Sequence, residues 1–332
     1  MMKNKLLLTT AIAGTFAFAG ASFAETKVVG NLETTINAVS SDTAINSGRQ
    51  IDAETNIGLE GSKELDNGLT ATYGFMIENG NSDTEFLTVG TDVVNVAIGT
   101  DFGNNLSQTA VPHVGDQAGT VAGTAGTVTG SNIPVANAHN ASHVGININA
   151  VGGTITARYT PDLTNTRGGA SSVAGDAGGS ATEIMYSGSL GVEGLKVIIG
   201  QGDETAATNA GTEDGKHQKF SAAYNFGAFA VGAEKQKSET SAATASQVER
   251  DTNKVGISFA ASDSLTIGLN YQETEKKTGG TKAANDEEIT MLTLGYNMGG
   301  LGIQIQYADI SDLGNAAGVD AEALQIRTIQ KF

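Results

Sequence analysis

Few residues in this chain are spaced for catalysis. His139 and His143 stand four apart in HNASH, which on a helix would turn both rings to one face as metal ligands. No glutamate follows the first histidine, and the segment reads as a loop running into a strand, so solvated loop histidines are the simpler reading. His113 and His217 also fall in or beside loops, with no serine placed by spacing to form a nucleophile–base pair. Acidic loop pairs such as Asp309 and Asp312 have the chemistry for Ca²⁺, but surface carboxylates usually just solvate. The stretch GTVAGTAGTVTG lacks the Lys-Ser/Thr and strand-to-helix setting of a phosphate loop. The expectation is no enzyme, no cofactor and no bound metal. A formal charge of −17 argues against nucleic acid, whose phosphates need a basic surface.

The elements that carry these residues are strands. Between Ser264 and Ala308 three runs alternate apolar with polar residues: SLTIGLNYQ, ITMLTLGYNM and LGIQIQYA. In the first, Leu265, Ile267, Leu269 and Tyr271 oppose Thr266, Gly268, Asn270 and Gln272. Period-two alternation means two unlike faces, and here the polar face carries Thr, Asn, Gln and Gly. The same pattern predicts sixteen strands: 26–39, 48–62, 69–78, 84–91, 93–100, 143–150, 154–160, 181–190, 195–202, 216–225, 228–236, 252–260, 264–272, 287–297, 301–308 and 321–332. Short turns and long polar loops take turns between them. An even count with that asymmetry suits a closed transmembrane antiparallel barrel, in which every backbone donor is paired where no water reaches.

The aromatics supply a separate argument. The assignment places Tyr159, Tyr186, Tyr271 and Tyr307 at the long-loop ends, and Tyr224, Phe226, Tyr296 and Phe332 at the short-turn ends. Two belts of amphipathic rings bracketing an apolar band fit a bilayer. A soluble sandwich would gather its large rings in a core. The first residues read as a secretory signal, with Lys3 and Lys5, an apolar Leu6–Gly20 and the cleavage site Ser22-Phe23-Ala24. The expected organisation is a signal over 1–24 and one barrel domain over 25–332. Cysteine is absent, so disulfides do not hold the fold.

Several motifs resemble the trimeric general porins of Gram-negative bacteria. Asn56-Ile57-Gly58-Leu59-Glu60-Gly61 followed by Leu65-Asp66-Asn67-Gly68-Leu69-Thr70-Ala71 is similar to that family's second strand, turn and third strand. His143-Val144-Gly145 through Ala157-Arg158-Tyr159-Thr160-Pro161 resembles its strand pair after the third loop. Tyr224-Asn225-Phe226-Gly227, Gly295 to Gly300 and the terminal Phe332 are similar too. The resemblance implies a sixteen-stranded, water-filled barrel in the outer membrane, with short periplasmic turns, long extracellular loops and a third loop folded into the lumen. It implies a homotrimer, contact with outer-membrane lipid, and passive diffusion of small hydrophilic solutes and ions.

The corresponding third loop is 101–142, whose one charged residue after Asp101 is Asp116. The family sets an acidic loop against a cluster of wall arginines, and this sequence departs from that. Of five arginines, strand parity turns only Arg158 and Arg327 to the lumen, opposite the candidates Glu33, Asp52, Glu54, Glu60 and Glu78. Carboxylates lining a pore favour cations. Acids near the mouths would instead be screened within a Debye length of ~8–10 Å. A structural or adhesive barrel plugged by 101–142, and a substrate-selective porin, remain the alternative readings. At the C-terminus Thr328 and Gln330 stand where the family prefers apolar residues, which puts assembly efficiency in doubt rather than fold.

Overall fold

In the computed structural model, residues 26–42, 48–79, 81–100, 103–113, 120–121, 128–129, 141–161, 179–205, 214–241 and 247–332 are described. The predicted signal, Asp116, His139 and Arg167 lie outside them. Sixteen strands form the barrel: β1 (Lys27–Ser41), β2 (Gly48–Glu64), β3 (Thr70–Glu78), β4 (Asn81–Gly90), β5 (Val94–Thr100), β6 (His143–Ala150), β7 (Gly153–Thr160) and β8 (Ser180–Gly188) in the first half. The second half holds β9 (Leu195–Thr205), β10 (Asp214–Phe226), β11 (Phe229–Ser241), β12 (Val248–Ala260), β13 (Leu265–Thr278), β14 (Glu287–Met298), β15 (Leu301–Ser311) and β16 (Ala321–Lys331). Each strand pairs antiparallel with the next. The ladder closes where β1 meets β16, in register from Asn31 opposite Lys331 to Ser41 opposite Ala321. Closure leaves no free edge for water to satisfy.

The alternation in the sequence becomes a difference between inside and outside. On β10, His217, Lys219, Ser221 and Ala223 are buried, while Phe220 among them and Tyr224 just beyond them are exposed. On β13 the buried Asn270 and Gln272 alternate with exposed Ile267, Leu269 and Tyr271. A greasy exterior around a polar interior inverts a water-soluble protein and matches a lipid-facing wall. At the short-turn rim Tyr224, Phe226, Phe229 and Phe259 stack in succession, with centroids 6.4, 5.8 and 4.7 Å apart. The Phe332 amide donates to the Gly30 carbonyl at 3.0 Å, tying the chain end to β1 at the same rim.

The structure differs from the sequence reading at three places. Tyr186 lies at the short-turn end, not the long-loop end: its hydroxyl donates to the Val151 carbonyl and accepts the Leu190 amide, both at 2.9 Å and both in short turns. The loop expected over 79–83 shrinks to a hairpin turn, because Glu78 already pairs with Asn81. Asn79 there takes φ 48, a conformation asparagine tolerates better than most residues. Third, β11 to β13 run four to six residues beyond the expected ends, towards the long loops. Their extensions pair Lys237 with Asp251 and Glu249 with Lys277. Charged residues hide the strand pattern in a sequence, yet a hairpin above the bilayer needs no apolar face.

Leu269 stands outward between the two belts, opposite Leu292 and Ile257. Leu269→Arg is expected to destabilise the barrel by about 2–3 kcal/mol in lipid vesicles, as charges do near the midplane of such walls. Thr293→Asn on the inner face is expected to cost far less. Urea unfolding monitored by heat-dependent gel migration compares them, and equal losses would contradict the inside–outside assignment.

Candidate functional site

The lumen wall from β7 to β13 carries a strap of chain. Residues 103–113 of the third loop lie along it, and nearly every second residue is clamped by a side chain of a different height or strand. Arg158 on β7 donates to the Asn104 carbonyl at 2.6 Å. Glu183 on β8 takes the Leu106 amide. Lys219 on β10 donates to the Gln108 carbonyl at 2.7 Å, and Ser221 accepts the Ala110 amide at 2.9 Å. Glu234 on β11 bonds the Thr109 hydroxyl, and Asn270 on β13 donates to the Pro112 carbonyl at 2.6 Å. Polar groups that would otherwise need water thus become each other's partners.

Apolar packing and missing side chains complete the seat. Leu106 is fully buried against Met185 and Ile198, with Ala110 and Ala223 in the same cluster. Burying that one leucine contributes roughly 1.5–3 kcal/mol. Gly232 and Gly256 are neighbours on β11 and β12, where a side chain would occupy the strap's place. A Cβ at Gly232 would come within 2.7 Å of Pro112 Cδ, and one at Gly256 within 2.6 Å of Val111 Cγ1. Farther round, the short strand Thr120–Val121 lies against β15 and β16, so the third loop also reaches the opposite wall. An inward apolar patch of Val39, Ile289, Met291, Ile310 and Ala323 stands at the long-loop end of β1 and β14–β16.

Beneath the strap lies a charge cluster that sequence reasoning missed. Glu234 sits 3.5 Å from Lys219 and 3.6 Å from Lys254, all three almost fully buried. One carboxylate between two ammoniums offsets much of the cost of removing them from water. The signal was available, since each of these residues has the opposite parity to an outward apolar neighbour, and a mid-strand charge must face inward. Arg250 was missed for another reason: with β12 beginning at Val248, it shares the inward parity of Thr252 and Lys254. The lumen therefore has three inward arginines among the described residues rather than two.

The predicted lining residues fall as follows. Glu33, Asp52, Glu54, Glu60 and Glu78 share the inward parity of β1–β3, with Glu33 opposite Glu54 and Asn56 opposite Glu78. Arg327 does not face Glu33 across the pore. It reaches it from the neighbouring strand β16, with Nη2 2.6 Å from Oε2 and a second bond from Nε to the other oxygen. This bidentate pair neutralises both charges. Glu54 accepts from Asn56 at 2.6 Å, and Asp52 accepts the Ala53 amide at 2.9 Å. Tyr159, Tyr271 and Tyr307 face outward at the long-loop side, and Tyr224, Phe226, Tyr296 and Phe332 at the short-turn side.

The histidines are less solvated than the sequence reading held. His143 is buried at the start of β6, with Nδ1 2.9 Å from the Ala141 carbonyl, and His217 is buried on β10. Asp312 accepts the Gly318 amide at 2.7 Å, which occupies one half of the Asp309/Asp312 pair in closing its own loop. No group of three or more His, Asp or Glu residues is placed to hold a metal among the described residues. Above the outer belt, Lys277 and Lys282 hold the Glu275 carboxyl down to about 2, while Glu275 and Asp286 raise the Lys282 ammonium. These ion pairs are solvent-exposed and add little stability.

The family model for Gram-negative porins matches residues 9–312. A solved structure of OmpT, an outer membrane protein of Vibrio cholerae, is similar over 94% of this chain and 99% of its own, at 13% identity and TM-score 0.71. A trimer form of the same protein matches over 94% of this chain and all of its own, at 14% identity and TM-score 0.66. The anion-selective porin from Comamonas acidovorans matches over 93% of this chain and all of its own, at 16% identity and TM-score 0.66. At such identities the likeness is one of fold. No curated protein sequence matches the chain.

Because the natural chain has no cysteine, an engineered pair gives a clean test of the strap. With the Ala110 amide 2.9 Å from Ser221 Oγ, Ala110→Cys together with Ser221→Cys is expected to form a disulfide on oxidation of the folded barrel. A free-thiol assay that finds both cysteines reduced in folded protein would mean that the loop lies elsewhere.

Proposed function

The chain belongs to the Gram-negative porin family, and on that premise we propose that it is a passive diffusion channel for small hydrophilic solutes and ions across the outer membrane, with a weak preference for cations. The supporting observation is the unequal use of charge on the two walls. Arg158, Lys219 and Lys254 are taken up in clamping the strap and in pairing with Glu234, and Arg327 is taken up by Glu33. Asp52 and Glu60 stay exposed on the inward face of β2, with Glu54 and Glu78 half-buried beside them. Below the long-loop rim the cations of the strap wall are thus neutralised or anchored, while Asp52 and Glu60 stay exposed on β2, and exposed carboxylates attract cations into the lumen. The anion selectivity named for the Comamonas porin belongs to that protein.

The strap is the constriction in this reading, because it thickens one wall from β7 to β13. Association in threes is part of this reading, supported by the trimer form of the Vibrio protein. The plugged structural barrel is favoured by one observation, the approach of Thr120–Val121 to β15 and β16. It differs from a pore in carrying no current.

Refolded mature protein in a planar bilayer under a salt gradient is expected to give ohmic steps, in threes for a trimer, with a reversal potential of cation sign. Neutralising the open wall with Glu54→Gln, Glu60→Gln and Glu78→Gln is expected to move that potential toward zero. A silent bilayer with folded barrel supports the plug. A reversal potential of anion sign would transfer control of the pore to the lysines and arginines.

A further inference from the structure

A row of donors crosses the inner face near the long-loop rim. The register places His217 on β10 opposite Ser238 on β11, Ser238 opposite Arg250 on β12, and Arg250 opposite Lys276 on β13. Neighbours in such a ladder are about 5 Å apart, so four strands present an imidazole, a hydroxyl, a guanidinium and an ammonium to one strip of the lumen. Two like charges directly opposite each other destabilise a sheet unless something of opposite sign lies between them.

Among the described residues no acid is paired with either cation. On the outer face at the same height, acids neutralise lysines: Lys235 lies 3.2 Å from Asp251, Lys277 2.8 Å from Glu275, and Lys282 2.7 Å from Glu275. Inside, Arg250 and Lys276 form no ion pair among the described residues. The nearest inward acids are engaged or aside. Glu234 lies two residues down β11 from Gln236 and is held between Lys219 and Lys254. Glu287, fully buried on β14, accepts the Gly314 amide at 2.6 Å. Glu204 is 3.8 Å from His217 Nε2, at the far end of the row.

A second observation points to a ligand. Ser238 is 2% exposed and His217 4% exposed, yet the Ser238 hydroxyl and both imidazole nitrogens have no hydrogen-bond partner. Buried polar groups are rarely left unpaired without a reason. One row down, Thr252 and Thr274 satisfy each other at 3.1 Å, whereas in this row neither the Ser238 hydroxyl nor the His217 ring finds such a neighbour.

We propose that this strip binds small oxyanions, meaning phosphate, sulfate or a phosphoryl group carried by a solute, at the extracellular entrance of the barrel. Arg250 and Lys276 supply charge, with the guanidinium offering a bidentate fork. Ser238 donates the third bond, and His217 borders the side nearest Glu204. Because the strip faces the lumen, its ligand arrives as a solute and not as a lipid headgroup. The site depends on the pore reading only for access, and it would concentrate anionic solutes at a mouth whose deeper wall is acidic.

Titrating the folded barrel in detergent with inorganic phosphate, by calorimetry at constant ionic strength in chloride, tests the site without any current. Saturable binding near one phosphate per chain is expected. Arg250→Gln with Lys276→Gln is expected to weaken it by about tenfold or more, the loss of two charge-assisted bonds. Ser238→Ala should weaken it severalfold, and the outward Lys277→Gln should leave it unchanged. Heat-dependent gel migration verifies that each variant is folded. Absence of saturable heat, or equal affinity in the wild type and the double variant, overturns the site. Phosphate binding by a barrel that carries no current would overturn the pore reading and leave the site standing.

Discussion

Everything in this molecule depends on closing the backbone ladder. A lipid environment offers no partner for an unpaired amide or carbonyl, so a strand can stand there only between two neighbours. The β1–β16 pairing supplies the last two missing edges, over a register eleven residues long. Once that is done, the side chains are sorted by alternation alone, apolar to lipid and polar to the lumen. The rim aromatics, the chain end tied back to Gly30 and the short turns are consequences of fitting that cylinder to a bilayer.

Closure also creates the problem that the third loop solves. A sixteen-strand cylinder is wider than its own side chains can fill, and its interior polar groups need partners. The strap at 103–113 supplies them with main-chain carbonyls and amides, every second residue facing a wall donor or acceptor. Its fit relies on absent side chains as much as on present ones, since Gly232 and Gly256 leave the depth in which Pro112 and Val111 sit. The electrostatic result follows from this packing. Arg158 and Lys219 on the strap side are used for anchoring, whereas Asp52 and Glu60 on β2 stay exposed.

The parts that could be read from the sequence are those governed by local period. Strand number, turn and loop order, and the inward parity of Glu33, Asp52, Glu54, Glu60, Glu78, Arg158 and Arg327 all follow from alternation. What could not be read depends on contacts between distant segments. That Lys219 holds Gln108, or that Arg327 takes Glu33 from the next strand, requires knowing register and the course of the loop. Arg250 and the charged extensions of β11–β13 escaped because outside the bilayer the alternation of apolar residues stops while the pairing continues. Tyr186 sits at the rim opposite to the one expected, although the sequence predicts its strand. Its six-residue distance from the long-loop end of β8 was enough to decide that.

The most direct test of an open barrel narrowed by a wall-bound strap is solute flux into liposomes holding the refolded protein. Swelling in isotonic sugars is expected to be fast for the smallest and to fall steeply with size. Deleting residues 104–112 is expected to speed the larger sugars while leaving the smallest nearly unchanged. Liposomes with folded barrel that fail to swell in any sugar, or rates that do not change when the strap is deleted, would contradict the account.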